Sequence, residues 1–486
     1  MATFTVTSTA DTGSGSLRQA VANAQDGDVI LFDDDIFPSN QTTAILLSSH
    51  IAINKQLTID AGANGTTSRV ALDAQNNSRC LYLQPGAGGT LRGLLFCNAS
   101  NDSNGGAVYC AATNPITFTQ CRFRNNTGNT GGGLSTTVAA TLTFDSCEFS
   151  GNTANSNGGA VYCSSAATLT FDDCTFSGNT ANSNGGGFLA TSTSQNTLNN
   201  CVFSGNSAGV SGGGLYSVSM SQNTLNDCIF TNNTAQSLGN AVRSDSTSRV
   251  AIINCEIHDN TSGDDDSTTD VSAGGTSVVS VASSRINGVS LGATATLDVD
   301  AGITTCVALY LNRSGDNATI VTFADGAALA VTTAATIPTG TAFTSETRGY
   351  LATATGLDFS AATLTNVVVC TYGAGLESFD IDADGASWTA ENIETPILIE
   401  TRNNTGEWDT LTTQASGGAY ATSFSTGTTA RAFDGVKFFR AEISAYWQVT
   451  AWAAATNGAG TISGGDAAAD SWSVTPITIT PNLNEA

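Results

Sequence analysis

Basic residues are scarce. Sixteen Lys or Arg stand against 41 Asp or Glu in 486 residues, a formal charge of −25. Without a basic cluster the chain is poorly suited to nucleic acid or to an anionic membrane surface, since both are held by Lys and Arg neutralising phosphate. Histidine is limited to His50 and His258. Long apolar runs are also missing: nothing approaches the roughly 18 to 20 residues of a membrane span. The opening Met1-Ala2-Thr3-Phe4-Thr5-Val6 has neither a basic n-region nor an apolar h-region, so no secretory leader is read there. Prior removal of a leader, another export route and residence inside the cell all stay open. Charged residues make up 12% and hydrophobic ones 40%. That is too apolar for a disordered acidic chain and enough for two or three domains with cores.

What is present is unevenly distributed. All 12 Cys lie at or before Cys370, and all five Trp, from Trp388 to Trp472, lie after it. Two differently packed cores are implied. The expected organisation is a cap and first strands over 1–39, a solenoid over 40–370 that is most regular over 97–260, an acidic joint over 371–395, and a C-terminal β domain over 396–486.

The middle of the chain is a repeat. Cys121, Cys147, Cys174, Cys201, Cys228 and Cys255 are spaced by 26, 27, 27, 27 and 27 residues. Two positions after each stands Phe123, Phe149, Phe176, Phe203, Phe230 or Ile257, and five after each stands Asn126, Asn152, Asn179, Asn206, Asn233 or Asn260. A second motif keeps the same interval: Gly131-Gly132-Gly133-Leu134, Gly158-Gly159-Ala160-Val161, Gly185-Gly186-Gly187-Phe188 and Gly212-Gly213-Gly214-Leu215, with an earlier Gly105-Gly106-Ala107-Val108 and a decayed Gly239-Asn240-Ala241-Val242. Between them runs an alternating segment, Leu142-Thr143-Phe144 and its equivalents. Three short β segments per 27 residues, with Gly, Asn and Ser at the turns and no helical period, describe one coil of an all-β, three-faced parallel β-helix.

Stacked coils turn equal positions into columns about 4.8 Å apart. The Phe column is expected inside. The Asn column should satisfy a buried corner, each side chain bonding its neighbours and tolerating unusual backbone angles. The Gly pair should supply positive φ and room at another corner. Stacked Cys fall within disulfide range, yet their Cβ vectors point the same way, and buried free thiols are the simpler expectation. No Cys-x-x-Cys pair or nearby His suggests a metal at this column.

The alternating Gly-Gly-Ala-Val and Phe-x-x-Asn motifs resemble those of the polymorphic membrane proteins of chlamydiae and related autotransporter-type adhesin passengers. Thr5-Val6-Thr7-Ser8-Thr9-Ala10-Asp11 and Gly15-Ser16-Leu17-Arg18-Gln19-Ala20-Val21 are similar to the start of many bacterial surface proteins of that kind. The resemblance covers about residues 3 to 260 and implies a right-handed β-helix in a surface or secreted binding protein with no enzyme site. C-terminal amphipathic barrel strands of the autotransporter pattern are not seen.

Ser16-Leu17-Arg18-Gln19 is a capping box opening a short amphipathic helix to Gln25, expected to cap the first coil. In the joint, Asp380-Ile381-Asp382-Ala383-Asp384-Gly385 followed by Glu391 matches a calcium-loop pattern of oxygen ligands, so Asp380, Asp382, Asp384 and Glu391 are the candidate Ca2+ ligands. An ordinary acidic turn is the alternative, because no helix flanks the motif and Ser387 replaces the usual aliphatic. From Pro396 longer alternating strands suggest a compact β-sandwich-like domain, and Val474 to Thr480 could dock on a neighbouring molecule.

Three functions fit in descending order. The first is a non-enzymatic extracellular or cell-surface structural or adhesive protein, with head-to-tail or strand-docked self-association into a filament or matrix and a host, surface or glycan ligand. The second is a carbohydrate-active β-helix enzyme, a polysaccharide lyase or hydrolase. It would need a pair of carboxylates, or a base beside Ca2+. Asp145 and Asp172 instead belong to a column that becomes Asn199 and Asn226. The third is an ice-binding face from Thr143, Thr170, Thr197 and Thr224, a single column that breaks at Ala251.

Overall fold

The computed structural model describes residues 1–64, 67–262, 269–292, 294–311, 319–325, 327–353 and 362–371, and beyond these the strands 378–382, 385–390, 398–402, 408–412, 420–425, 436–440, 445–449 and 471–474. The chain forms two compact units, Met1–Leu297 with Asn312–Thr319, and Asp298–Leu311 with Ile320–Ala486. The division falls earlier in the chain than the change in composition.

The first unit is a parallel β-solenoid with about 27 residues per turn and three parallel sheets. In one coil, Thr141–Asp145, Glu148–Ser150 and Val161–Cys163 form the three faces. Each pairs in strict register with the strand 27 residues later: Phe144 with Phe171, Phe149 with Phe176, Val161 with Phe188. The coil also has a fourth, two-residue strand, Thr153–Ala154, in a separate seven-stranded parallel stack ending at Thr261–Ser262. The sequence pattern did not predict it, since two residues are too few to show alternation.

The corners are left-handed. Just before each column Cys the backbone has positive φ, at Gln120, Ser146, Asp173, Asn200, Asp227 and Asn254. Just before each column Asn the same is true at Asn125, Gly151, Gly178, Gly205, Asn232 and Asp259. The unusual backbone angle therefore belongs to the residue preceding the ladder Asn, which corrects the expectation for Asn126 and its equivalents. The first Gly of each pair is also left-handed, for example Gly185 at φ +69°. The second is needed for close approach: a Cβ on Gly159 would lie 2.1 Å from the carbonyl oxygen of Gly186.

Inside, Phe123, Phe149, Phe176, Phe203 and Phe230 stack with centroids 4.3 to 4.9 Å apart and planes within 6° of parallel. A second stack, Phe118, Phe144 and Phe171, meets the first edge-on, as between Phe144 and Phe149 at 5.6 Å. Both arrangements suit the ring quadrupole. All these rings are fully buried, and losing one would cost about 3 to 5 kcal/mol. The Asn column donates from coil to coil, Nδ2 to Oδ1, at 2.8 to 2.9 Å from Asn126 to Asn260.

The eleven described cysteines are buried thiols outside any disulfide. In the column the sulfur fills a gap between strands. Cys147 Sγ accepts the main-chain N–H of Cys121 at 3.4 Å and donates to the carbonyl of Phe118 at 3.3 Å. Ser284 Oγ ends the series by accepting from Cys255 N at 3.0 Å. Burial pushes the thiols of Cys97 and Cys163 up to about 12 and that of Cys147 well above the ordinary range.

The coil narrows near residue 285. Arg285–Leu291 pairs first with Glu256 and Ile257 and then, three residues on, with Val271–Ala273. The thirteen residues 258–270 are thus replaced by the two residues Asn287 and Gly288. The Asn ladder and the fourth stack stop at this step.

At the other end the helix runs from Leu17 to Asn23, shorter than the expected reach to Gln25. Ser16 Oγ accepts from Gln19 N at 3.2 Å, but the Gln19 side chain turns to Asn23, so only half of the capping box forms. Leu17, Ala20 and Val21 bury the apolar face. Lys55 Nζ donates to the carbonyls of Val21, Ala22 and Ala24, holding the helix C-terminus where a cation is favoured.

In the second unit the strands lengthen. Ile303–Leu311 pairs in parallel with Ala328–Thr336, and Ala342–Thr353 with Thr363–Thr371, each with a register shift. Two four-stranded antiparallel sheets follow. One joins Tyr420–Ser425, Gly385–Ala390, Ser378–Asp382 and Ser471–Val474; the other joins Trp408–Thr412, Leu398–Arg402, Val436–Arg440 and Ala445–Val449.

Candidate functional surface

With the interior committed to packing, chemistry falls to the outward columns of the first unit. On the face containing Thr141–Asp145, the register aligns Thr58, Thr90, Thr117, Thr143, Thr170, Thr197 and Thr224, seven threonines on successive coils. The run is longer than the four read from the repeat: Thr117 precedes them within the regular coils, and the coils before residue 97 keep register while losing sequence regularity. Beside it Asp145, Asp172, Asn199 and Asn226 form a ladder in which Asn199 Nδ2 donates to Asp172 at 2.7 Å and Asn226 Nδ2 to Asn199 at 2.8 Å. These carboxylates line up along the axis. They do not oppose one another across a cleft.

The face after the Gly pair carries a different column: Tyr82, Tyr109, Ser135, Tyr162, Leu189, Tyr216 and Arg243. The four Tyr are half-buried. Tyr82 stacks on Tyr109 at 5.6 Å, and the Arg79 guanidinium lies 5.4 Å from the Tyr109 centroid. Tyr109 Oη meets Thr137 Oγ1 of the next coil at 2.8 Å. Ser135 and Leu189 face outward yet are 0% and 4% exposed. Tyr109 therefore leans onto the following coil. Burial, with Asp245 of the next coil, pushes the Tyr216 phenol above its ordinary range. This column escaped the reading of the sequence, although its signal was a Tyr directly after the Val or Leu of alternate Gly motifs.

A family model described as a right handed beta helix region matches residues 61–225 and again 107–327, together more than half of the chain. The chain belongs to this family. Neither a curated protein nor a solved structure matches it. The right-handed β-helix family accounts for the fold.

Of the candidate calcium ligands, Asp380 and Asp382 lie two positions apart on the strand Ser378–Asp382, which forms a hairpin with Gly385–Ala390 in which Asp382 pairs with Gly385. Asp384 and Glu391 lie outside the described residues. Among the described residues no group of three or more His, Cys, Asp or Glu is placed to hold a metal. The sequence carries two further acidic runs, Asp33-Asp34-Asp35 and Asp264-Asp265-Asp266; the first is in an N-terminal loop, where Arg69 pairs with Asp34, and the second lies outside the described residues.

One buried acid breaks the β-helix columns. Asp270 occupies the interior place held by Ala107, Gly133, Ala160, Gly187, Gly214 and Ala241 in earlier coils. It is 0% exposed, and neither carboxyl oxygen has a hydrogen-bond partner. Asn260 is near, but its amide N–H groups are spent on the carbonyls of Phe230 and His258. Burial raises the Asp270 pKa to about 8. No helix among the described residues is long and apolar enough to cross a membrane.

Proposed function

We propose that the protein is a non-enzymatic structural or adhesive component displayed outside the cell or on its surface, of the kind found among chlamydial polymorphic membrane proteins and autotransporter-type passengers. The observation that carries the reading is the unbroken continuity of the outward columns through the regular coils. Catalysis on a polysaccharide needs a carboxylate pair astride the sugar or a base beside a cation. Here Asp145 and Asp172 sit within a ladder that passes smoothly into Asn199 and Asn226. Residues 125–242 contain no Lys or Arg at all. A surface of repeated hydroxyls, amides and phenols is suited to holding a partner.

Self-association into a filament or matrix belongs to the same proposal. The first-coil strands Thr3–Val6, Thr43–Leu46 and Ile51–Ile53 each pair on one side only among the described residues. Such edges invite strand addition. The functional reading is tested by incubating the full chain with neutral and uronic-acid polysaccharides and assaying reducing ends and unsaturated products. No product above the blank is expected; sustained release from any one polymer would replace this reading with that of an enzyme.

A further inference from the structure

The tyrosine column points to a ligand class. Tyr109, Tyr162 and Tyr216 recur on every second coil, with Ser135 and Leu189 between them. Two coils span about 9.6 Å at the ordinary strand spacing. That is close to the length of one disaccharide unit in an extended β-1,4-linked chain. Tyr162 and Tyr216 are half-buried, and the apolar face of a sugar ring packs on a partly exposed aromatic surface of this kind. Tyr162 and Tyr216 are the open platforms, since the residue one coil before each is Leu or smaller. Tyr109 is already overlaid by Tyr82.

Charge selects among glycans. The coils bearing Tyr162 and Tyr216 lie within the stretch that has no basic residue, Arg243 beside Tyr216 on the next coil is buried and paired with Asp245, and the whole chain carries −25. Polyuronates and sulfated chains would be repelled with no cation on this stretch to hold them. We infer that this face binds an uncharged, extended β-1,4-linked polysaccharide laid along the solenoid axis, Tyr162 and Tyr216 each stacking on one sugar of successive disaccharides. The inference rests on the non-catalytic reading above and names its partner.

The test measures retention of the full chain on microcrystalline cellulose, chitin and β-mannan, with alginate as the anionic control. Tyr162→Ser and Tyr216→Ser are fold-compatible, because Ser135 already occupies this column. Retention on at least one neutral polymer and none on alginate is expected. Each Ser variant should bind about tenfold more weakly, the scale of a lost stacking contact; Tyr162→Phe, which keeps the ring, should lose less than Tyr162→Ser, while Thr170→Ala on another face keeps wild-type retention. Absence of retention on all three neutral polymers, equal retention by the Ser variants, or loss in Thr170→Ala would each overturn the proposal. Failure here leaves the non-catalytic reading standing, since that is decided separately by the product assay.

Discussion

Asn152 Nδ2 donates to Asn179 Oδ1 at 2.9 Å, and the main-chain N–H of Asn152 donates to the same oxygen at 3.0 Å. One side-chain oxygen thus serves two donors of the neighbouring coil. Meanwhile Asn179 Nδ2 reaches both the carbonyl of Phe149 and Oδ1 of Asn206. The amide is the one side chain of this size that can do both.

Replacing Asn179 by Ala removes the shared acceptor and leaves buried donors of Asn152 and the carbonyl of Phe149 without it. Each unsatisfied group costs about 1 to 3 kcal/mol. Asn179→Ala should therefore lower stability by several kcal/mol in urea unfolding followed by circular dichroism. Asn179→Asp should recover little, because a carboxylate accepts but cannot donate to Phe149. A loss under about 1 kcal/mol for Ala would show that the ladder is ornamental.

Two glycines eight residues apart should behave oppositely. A Cβ on Gly186 would stand 2.4 Å from the carbonyl oxygen of Gly213, so Gly186→Ala must push neighbouring coils apart and should abolish cooperative unfolding or lower the midpoint sharply. Gly178 is left-handed at φ +60° with nothing within 4 Å, and Asn125 and Asn232 already hold its column. Gly178→Asn should shift stability by less than about 1 kcal/mol. Thermal melts of the two variants decide it; equal damage in both would refute the column assignment.

The solenoid was legible because its determinants repeat. Cys147, Phe149, Asn152 and Gly158 recur at one interval, and their burial follows from stacking alone. The left-handed corner at Ser146 was not legible, because Gln, Ser, Asp and Asn all occur in its column and no single residue type marks the conformation. The narrowing at Asn287-Gly288 was hidden for a related reason: a deletion within a coil looks in sequence like decay of the repeat. The tyrosine platform was missed because it recurs on alternate coils, so its period is twice that of the motif searched for.

Asp270 gives the solenoid a pH dependence with a definite sign. Its folded pKa, about 8, is above the ordinary 3.8, so the folded state holds a proton that the unfolded state has lost between those values. This stabilising contribution is complete below about pH 4 and is lost as pH rises towards 8, at up to about 1.4 kcal/mol per unit. Asp270→Ala restores the small residue of earlier coils. The variant should be the more stable, by a margin that widens from pH 5 to pH 8 and then levels off; a margin independent of pH would mean that the acid finds a partner.

The calcium-loop reading of Asp380, Asp382, Asp384 and Glu391 makes its own prediction. Added Ca2+ should raise the melting transition of the C-terminal region, EDTA should reverse the shift, and Asp382→Asn with Glu391→Gln should remove the response. A transition unmoved by either reagent would assign the motif to an acidic turn.

The central claim, display outside the cell as a non-catalytic binding solenoid, is tested most directly by immunogold electron microscopy of the cells that make the protein. Label on the outer face of the envelope or on extracellular material is the predicted result, with end-to-end arrays as the form of self-association. Label confined to the cell interior would contradict it.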